Sequence, residues 1–237
     1  MDSPNRRVRR SQMNNLLLYA LFAVPPLILG LAAQGWLRRT VQRFSVQPLS
    51  TGLTGAEVAE RILVANGVRD VKIVPAEGAL TDHYDPRTKT VALSEPVYGQ
   101  RSITAAAVAA HEVGHALQHA QAYAPLAFRT AMFPAVAFAS NLWIILLLAG
   151  FFLQAVGLVW LAIGLYAIAV LFHVVTLPVE FDASRRAGIQ MQQLGLASGG
   201  EAAGTRKVLT AAASTYVVGA LAAISQLVFL VLSTQNR

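Results

Sequence analysis

The stretch His111-Glu112-Val113-Gly114-His115 has the spacing H-E-x-x-H. On a helix, positions four apart lie on one face, so two imidazoles at that spacing can grip one cation together. Imidazole nitrogen suits zinc, and one Zn2+ ion is the cofactor this pattern predicts. Glu112 stands one step round the helix. In such a site it stays off the metal, takes a proton from the attacking water and passes it to the leaving amine. Gly114 leaves room for another element to pack closely against the helix.

A hydrolytic zinc needs a third protein donor and one position left open. His119 continues the same face, but it stands roughly 12 Å along the axis from His111, too far for both to hold one ion. It is expected to support a ligand or to sit at the polar surface. A third histidine of the metzincin type would fall at position 121, which is Gln121. Glu180 is the better third donor, giving a gluzincin-like set of His111, His115 and Glu180. The chain between His115 and Glu180 contains the uncharged run Ala131 to Val179. As one helix that run would extend roughly 70 Å, so it must cross a bilayer, turn and return, bringing Glu180 back to the side that His115 left.

The elements that must position these groups divide by charge. No Asp, Glu, Lys or Arg occurs from Ser11 to Leu37, from Ala131 to Val179 or from Val208 to Asn236. Hydrophobic residues make up 55% of the chain and charged ones 13%, which suits membrane insertion and not a soluble domain. Spans are predicted at 16–37, as a hairpin over 131–177 with its turn near Gly150 to Gly157, and at 209–232. Between them lie a catalytic segment, 44–129, and a third-ligand segment, 178–207. The whole is a single membrane-integrated domain. Within the catalytic segment, Thr54-Gly55-Ala56-Glu57 is a capping box that opens a helix ending at Gly67. Val71 to Val74 and Thr90 to Leu93 read as strands, and an Ala-rich helix runs from Ser102 or Thr104 to about Ala120. The fold class expected is mainly α: an integral membrane protein of about four transmembrane helices with a small α+β, zincin-like portion at the membrane surface.

The chain resembles the YugP-like family of membrane zinc metallopeptidases. The likeness rests on Leu53-Thr54-Gly55-Ala56-Glu57-Val58-Ala59, Leu80-Thr81-Asp82-His83-Tyr84-Asp85-Pro86, Ala110 to Ala116 around the motif, and Leu177-Pro178-Val179-Glu180 through Ala187. It implies a zinc hydrolase acting on protein or peptide substrates. Glu180-Phe181-Asp182-Ala183-Ser184 is also similar to the Glu-x-x-Ala-Asp helix of the HtpX-type membrane proteases, whose glutamate binds zinc. Ser184 stands where those proteases carry aspartate, and Asp182 is the candidate to take over that support. His83 and Tyr84 are candidates for contact with substrate or oxyanion, against a plain turn held by Asx-type hydrogen bonds. An extended peptide is expected to pair with the strand Thr90 to Leu93. His173, inside the third span, is expected to hydrogen-bond a neighbouring span, and Asn141 to join helices.

Two other classes compete with a surface-sited peptidase. An intramembrane site-2-type protease would carry its metal motif inside a span, whereas this helix begins after Arg101 and ends among Gln118, His119 and Gln121. A non-catalytic zinc scaffold would close the metal with four protein donors. The net charge of +7 is concentrated beside the apolar runs, at Arg6, Arg7, Arg9, Arg10, Arg38, Arg39, Arg206 and Lys207, as expected of lipid-anchoring residues. No basic stripe interleaved with aromatics occurs, so no nucleic-acid partner is expected; the partners are the bilayer and a peptide. A multi-pass protein of a bacterial inner or plasma membrane results. Its active site is assigned to the cytoplasmic face from the basic residues on that side.

Overall fold

The computed structural model describes residues 4–78 and 81–235, with side chains from Leu17 onward. The side chains of Arg6, Arg7, Arg9 and Arg10, together with Leu80 and Arg237, lie outside the described residues. The elements run α1 (Pro4–Ser45), α2 (Gly55–Ala65), β1 (Lys72–Ala76), β2 (His83–Asp85), β3 (Thr90–Ser94), α3 (Glu95–Gly99), α4 (Ile103–Ala120), α5 (Ala124–Phe152), α6 (Val156–Gln193) and α7 (Gly199–Gln235). The chain is a mainly helical membrane protein with a small sheet. Four helices, α1, α5, α6 and α7, are long and apolar enough to span a bilayer.

Two compact units share these helices. One comprises residues 1–32, 131–175 and 217–237. In it Val159, Ile163 and Leu230 are buried with Trp143, Leu147 and Tyr166 packed around them, and Ser225 Oγ donates to the Phe22 carbonyl across α7 and α1. Its outward faces are apolar: Leu27, Leu31, Phe138, Ile145 and Phe152 are all exposed, as a lipid solvent requires. The hairpin turns at residues 153–155, between α5 and α6, with Gln154 at φ 53°. Two expectations fail here. Asn141 Nδ2 donates to Ala137 O of its own helix, since the carbonyl one turn back is the nearest acceptor in an apolar setting. His173 is exposed on α6, with no hydrogen bond to a neighbouring span among the described residues.

The other unit, residues 33–130 and 176–216, holds the α+β portion. The capping box forms: Glu57 N donates to Thr54 Oγ1 and Thr54 N to Glu57 Oε2 at 2.7 Å. The buried row Val58, Ile62 and Leu63 of α2 then joins Val91 and Leu93 of β3 and Ala106, Ala110, Val113 and Leu117 of α4 in one core. In the sheet, β3 lies between β1, parallel to it, and β2, antiparallel to it. The expected pairing of a peptide with Thr90 to Leu93 is therefore excluded, because both edges of that strand are already taken. Tyr84 and Asp85, read as the start of a turn, belong with His83 to the short strand β2. The helix through Pro178 is continuous, and the carbonyl that proline leaves unbonded does not break it.

α4 is buried around most of its circumference, which its alanines permit because they let neighbouring elements approach. The closest approach is at Gly114, where a Cβ would lie 2.5 Å from the Ala183 carbonyl oxygen of α6. A backbone oxygen in a helix cannot retreat as a flexible side chain would. Gly114→Ala should therefore cost about 1–3 kcal/mol through overpacking. Gly188, where an added Cβ meets nothing, is the control. Thermal unfolding in detergent should show a lowered midpoint for Gly114→Ala and an unchanged or raised one for Gly188→Ala; equal midpoints would mean the helices are free to separate.

Candidate metal centre

α4 begins at Ser102, whose hydroxyl accepts from Ala105 N, and its third turn presents His111 and His115 on the face toward α6. Their rings meet edge to face with centroids 4.8 Å apart. Glu180 enters from α6, 2% exposed. Its Oε2 lies 3.2 Å from His111 Nε2 and 3.6 Å from His115 Nε2. All three donors fall within 4.8 Å of one another. In a tetrahedral site with bonds of about 2.0–2.1 Å, neighbouring donors stand roughly 3.3 Å apart. The two separations from Glu180 bracket that value and no pair of donors exceeds 4.8 Å, so the donor set is compatible with a zinc ion.

The other ring nitrogens are occupied. His115 Nδ1 lies 3.0 Å from Gln118 Oε1. Gln118 is fully buried, and its Nε2 donates to Val179 O at 2.8 Å and to Asp182 Oδ2 at 3.0 Å. With the amide nitrogen so engaged, Oε1 can only accept. His115 therefore carries its proton on Nδ1 and offers the Nε2 lone pair to a cation. His111 Nδ1 lies 3.1 Å from Ser184 Oγ. Serine thus makes the contact expected of an aspartate, while Asp182 acts one residue removed, through Gln118, with Arg185 and Arg186 on its two oxygens.

Burial works against a charged His115, but the Glu180 hydrogen bond and the nearby Glu112 and Glu180 carboxylates outweigh it and raise its pKa. The centre attracts positive charge. Glu112 is itself 8% exposed. Two groups near Glu180 were not evident from the sequence. Arg129 Nη1 lies 3.3 Å from Glu180 Oε1, and Tyr216 of α7 is in electrostatic contact with Glu180, Glu112 and Arg129. Arg129 could have been found as a charge beside an apolar run that returns near Glu180. Tyr216 sits in an uncharged run and gave no signal.

The remaining candidates stand apart from the cluster. Tyr84 Oη lies 2.7 Å from His119 Nδ1, and its pKa is pushed up to about 12 by burial first and then by Asp70 and Asp85, so the phenol keeps its proton. His83 is exposed, with Nδ1 2.7 Å from Thr81 O. Asp82 accepts from Ser94 N and Oγ, twelve residues away at the end of β3, and the Asx-type turn bond lies instead at Asp85, which accepts from Arg87 N at 2.9 Å.

A multi-pass membrane protein in which the two histidines of an H-E-x-x-H helix meet a buried glutamate from another helix is the class these features define. Residues 19–235 match the family described as "Putative neutral zinc metallopeptidase", and the chain belongs to that family. It is 45% identical over 220 residues to the "Putative membrane protease YugP" of Bacillus subtilis (strain 168), covering 93% of this chain and 98% of that protein. No solved structure matches the chain significantly.

Gln118→Leu keeps the volume but removes both the acceptor of His115 and the link to Asp182. It should weaken zinc retention about 10–100-fold, measured by competition with a chelator of graded affinity. Wild-type retention in Gln118→Leu would show that the ring needs no such support.

Proposed function

We propose that the chain is a zinc-dependent membrane endopeptidase, acting as a single membrane-integrated domain, with His111, His115 and Glu180 as the ligands of one zinc ion and Glu112 as general base. The observation that carries this reading is the convergence of both Nε2 atoms on Glu180 Oε2 while both Nδ1 atoms are bonded elsewhere. When bound, zinc supplies Lewis acidity, polarising the scissile carbonyl and making water a nucleophile near neutral pH. Glu112 takes the proton of the attacking water and delivers it to the leaving amine. Arg129 engages Oε1 of Glu180, so Oε2 is the oxygen that would face the ion. Tyr216 feels the charge of both carboxylates, which makes it the candidate donor toward the negative charge that develops on the carbonyl oxygen.

The family and the membrane-protease relative favour a peptide substrate. An incoming strand has β2 to pair with, since β3 covers only one of its edges among the described residues. The donor set favours catalysis over a structural zinc, because among the described residues three protein ligands converge and not four. Arg38, Arg39, Arg43, Arg129, Arg185, Arg186, Arg206 and Lys207 flank the spans on the catalytic side, which favours the cytoplasmic face of a bacterial inner or plasma membrane.

Three variants separate the roles. Glu112→Gln should keep its zinc and lose about 10²–10⁴-fold in casein cleavage, whereas Glu180→Ala should lose the zinc itself. Tyr216→Phe should lower kcat by about 10–100-fold with little change in KM. Full cleavage by zinc-loaded Glu112→Gln would remove glutamate from the base role, and full zinc content in Glu180→Ala would place the third ligand elsewhere.

A further inference from the structure

A cavity of about 400 Å³ opens between the second half of α6 and the first half of α7, all within the unit that holds the metal centre. Its chemistry is two-sided. Phe181, Ile189 and Leu209 supply an apolar wall, and Arg185 and Arg206 supply positive charge. Among the described residues no carboxylate lines it. Gly188 contributes no side chain, and an added Cβ there would meet nothing. Arg185 gives Nη2 to Asp182 Oδ1, which leaves other donors of its guanidinium for a ligand. Thr205, 2% exposed, also lines the cavity, and its buried Oγ1 has no hydrogen-bond partner among the described residues. An unpaired buried hydroxyl costs stability unless something else completes it.

We propose that this cavity binds the phosphate head group of an anionic phospholipid, with the arginines on the phosphate and the first part of an acyl chain along Phe181 and Leu209. Along the chain, α6 leaves its apolar run at Leu177, and α7 enters its own just after Lys207. Arg185, Arg206 and Thr205 therefore belong to the stretches that adjoin the spans, where phosphate and acyl chain meet in a bilayer. An acidic peptide would satisfy the arginines but leave the apolar wall uncovered. A lipid satisfies both, and a rotation of the Thr205 side chain would bring its buried hydroxyl to a phosphate oxygen. The site does not depend on the hydrolase reading, since its ligand is the surrounding membrane and not the substrate.

The test uses full-length protein in neutral detergent, with phosphatidylglycerol binding followed by native mass spectrometry or a fluorescent-lipid titration. Binding should saturate, phosphatidylcholine should not compete, and Arg206→Gln should weaken it about tenfold. Arg206 is exposed, and zinc content and melting temperature should be unchanged in that variant. Thr205→Val, which keeps the shape and removes the hydroxyl, should weaken binding as well. The proposal is overturned by phosphatidylcholine binding as tightly as phosphatidylglycerol, or by both variants binding as wild type. Displacement of the lipid by glycerol 3-phosphate at equal concentration would instead make this a free phosphate-ester site, and displacement by an acidic apolar peptide would make it a peptide site; either result also overturns the lipid assignment.

Discussion

The backbone contact between Gly114 and Ala183 is the constraint on which the candidate centre depends. A glutamate side chain reaches only a few ångströms. For Glu180 Oε2 to come within 3.2 and 3.6 Å of two imidazoles on α4, the α6 backbone must lie against α4 itself. Any side chain at position 114 would hold the helices apart, and the carboxylate would fall short of both rings. Ala183, Ala187 and the alanines of α4 serve the same end, because a small-residue seam exchanges side-chain volume for proximity. Glycine lies inside the motif for a packing reason, although the motif's chemistry names only its histidines and glutamate.

That close approach also decides how the imidazoles are oriented. Once α6 is against α4, Val179 O and Asp182 face Gln118, and Ser184 faces His111. Both histidines are then held by neutral partners, with the nearest supporting charge, Asp182, one hydrogen bond further out. A carboxylate placed directly on Nδ1 would make the ring more basic. An amide or hydroxyl fixes the tautomer and adds less negative charge to a site already containing Glu112 and Glu180. Arg129 offsets part of that charge from the far side of Glu180.

Much of this was legible beforehand, for physical reasons that differ from residue to residue. His111 and His115 follow from helical periodicity alone. Glu180 followed from counting membrane crossings, since an uncharged run too long for one span must return to its starting side. The capping box of Thr54 and Glu57 is local and needs no tertiary information. What escaped was non-local. β2 is too short to show alternation, and it exists because β3 offers it an edge, so the order β1-β3-β2 could not be read from strand sequences. The same short strand makes β3 central and closes it to a peptide. Tyr216 looked like any aromatic in an apolar span, and only the packing of α7 brings it within electrostatic reach of Glu180 and Glu112.

The supporting groups show how a departure from a motif can be absorbed. Aspartate at position 184 would bring a third carboxylate to a buried site that holds two, with Arg129 as the nearby guanidinium. Serine avoids that charge and still bonds Nδ1 of His111, while the carboxylate moves two residues earlier, to Asp182. There it meets Arg185 and Arg186 toward the surface and Gln118 toward the core. Asp182 can remain ionised because its charge is matched where water is near, and only the polarity of an amide is carried inward to His115. The cost of burying an unmatched ion is far larger than that of burying a satisfied amide, so an amide relay suits a centre whose own net charge should be left for the metal to balance.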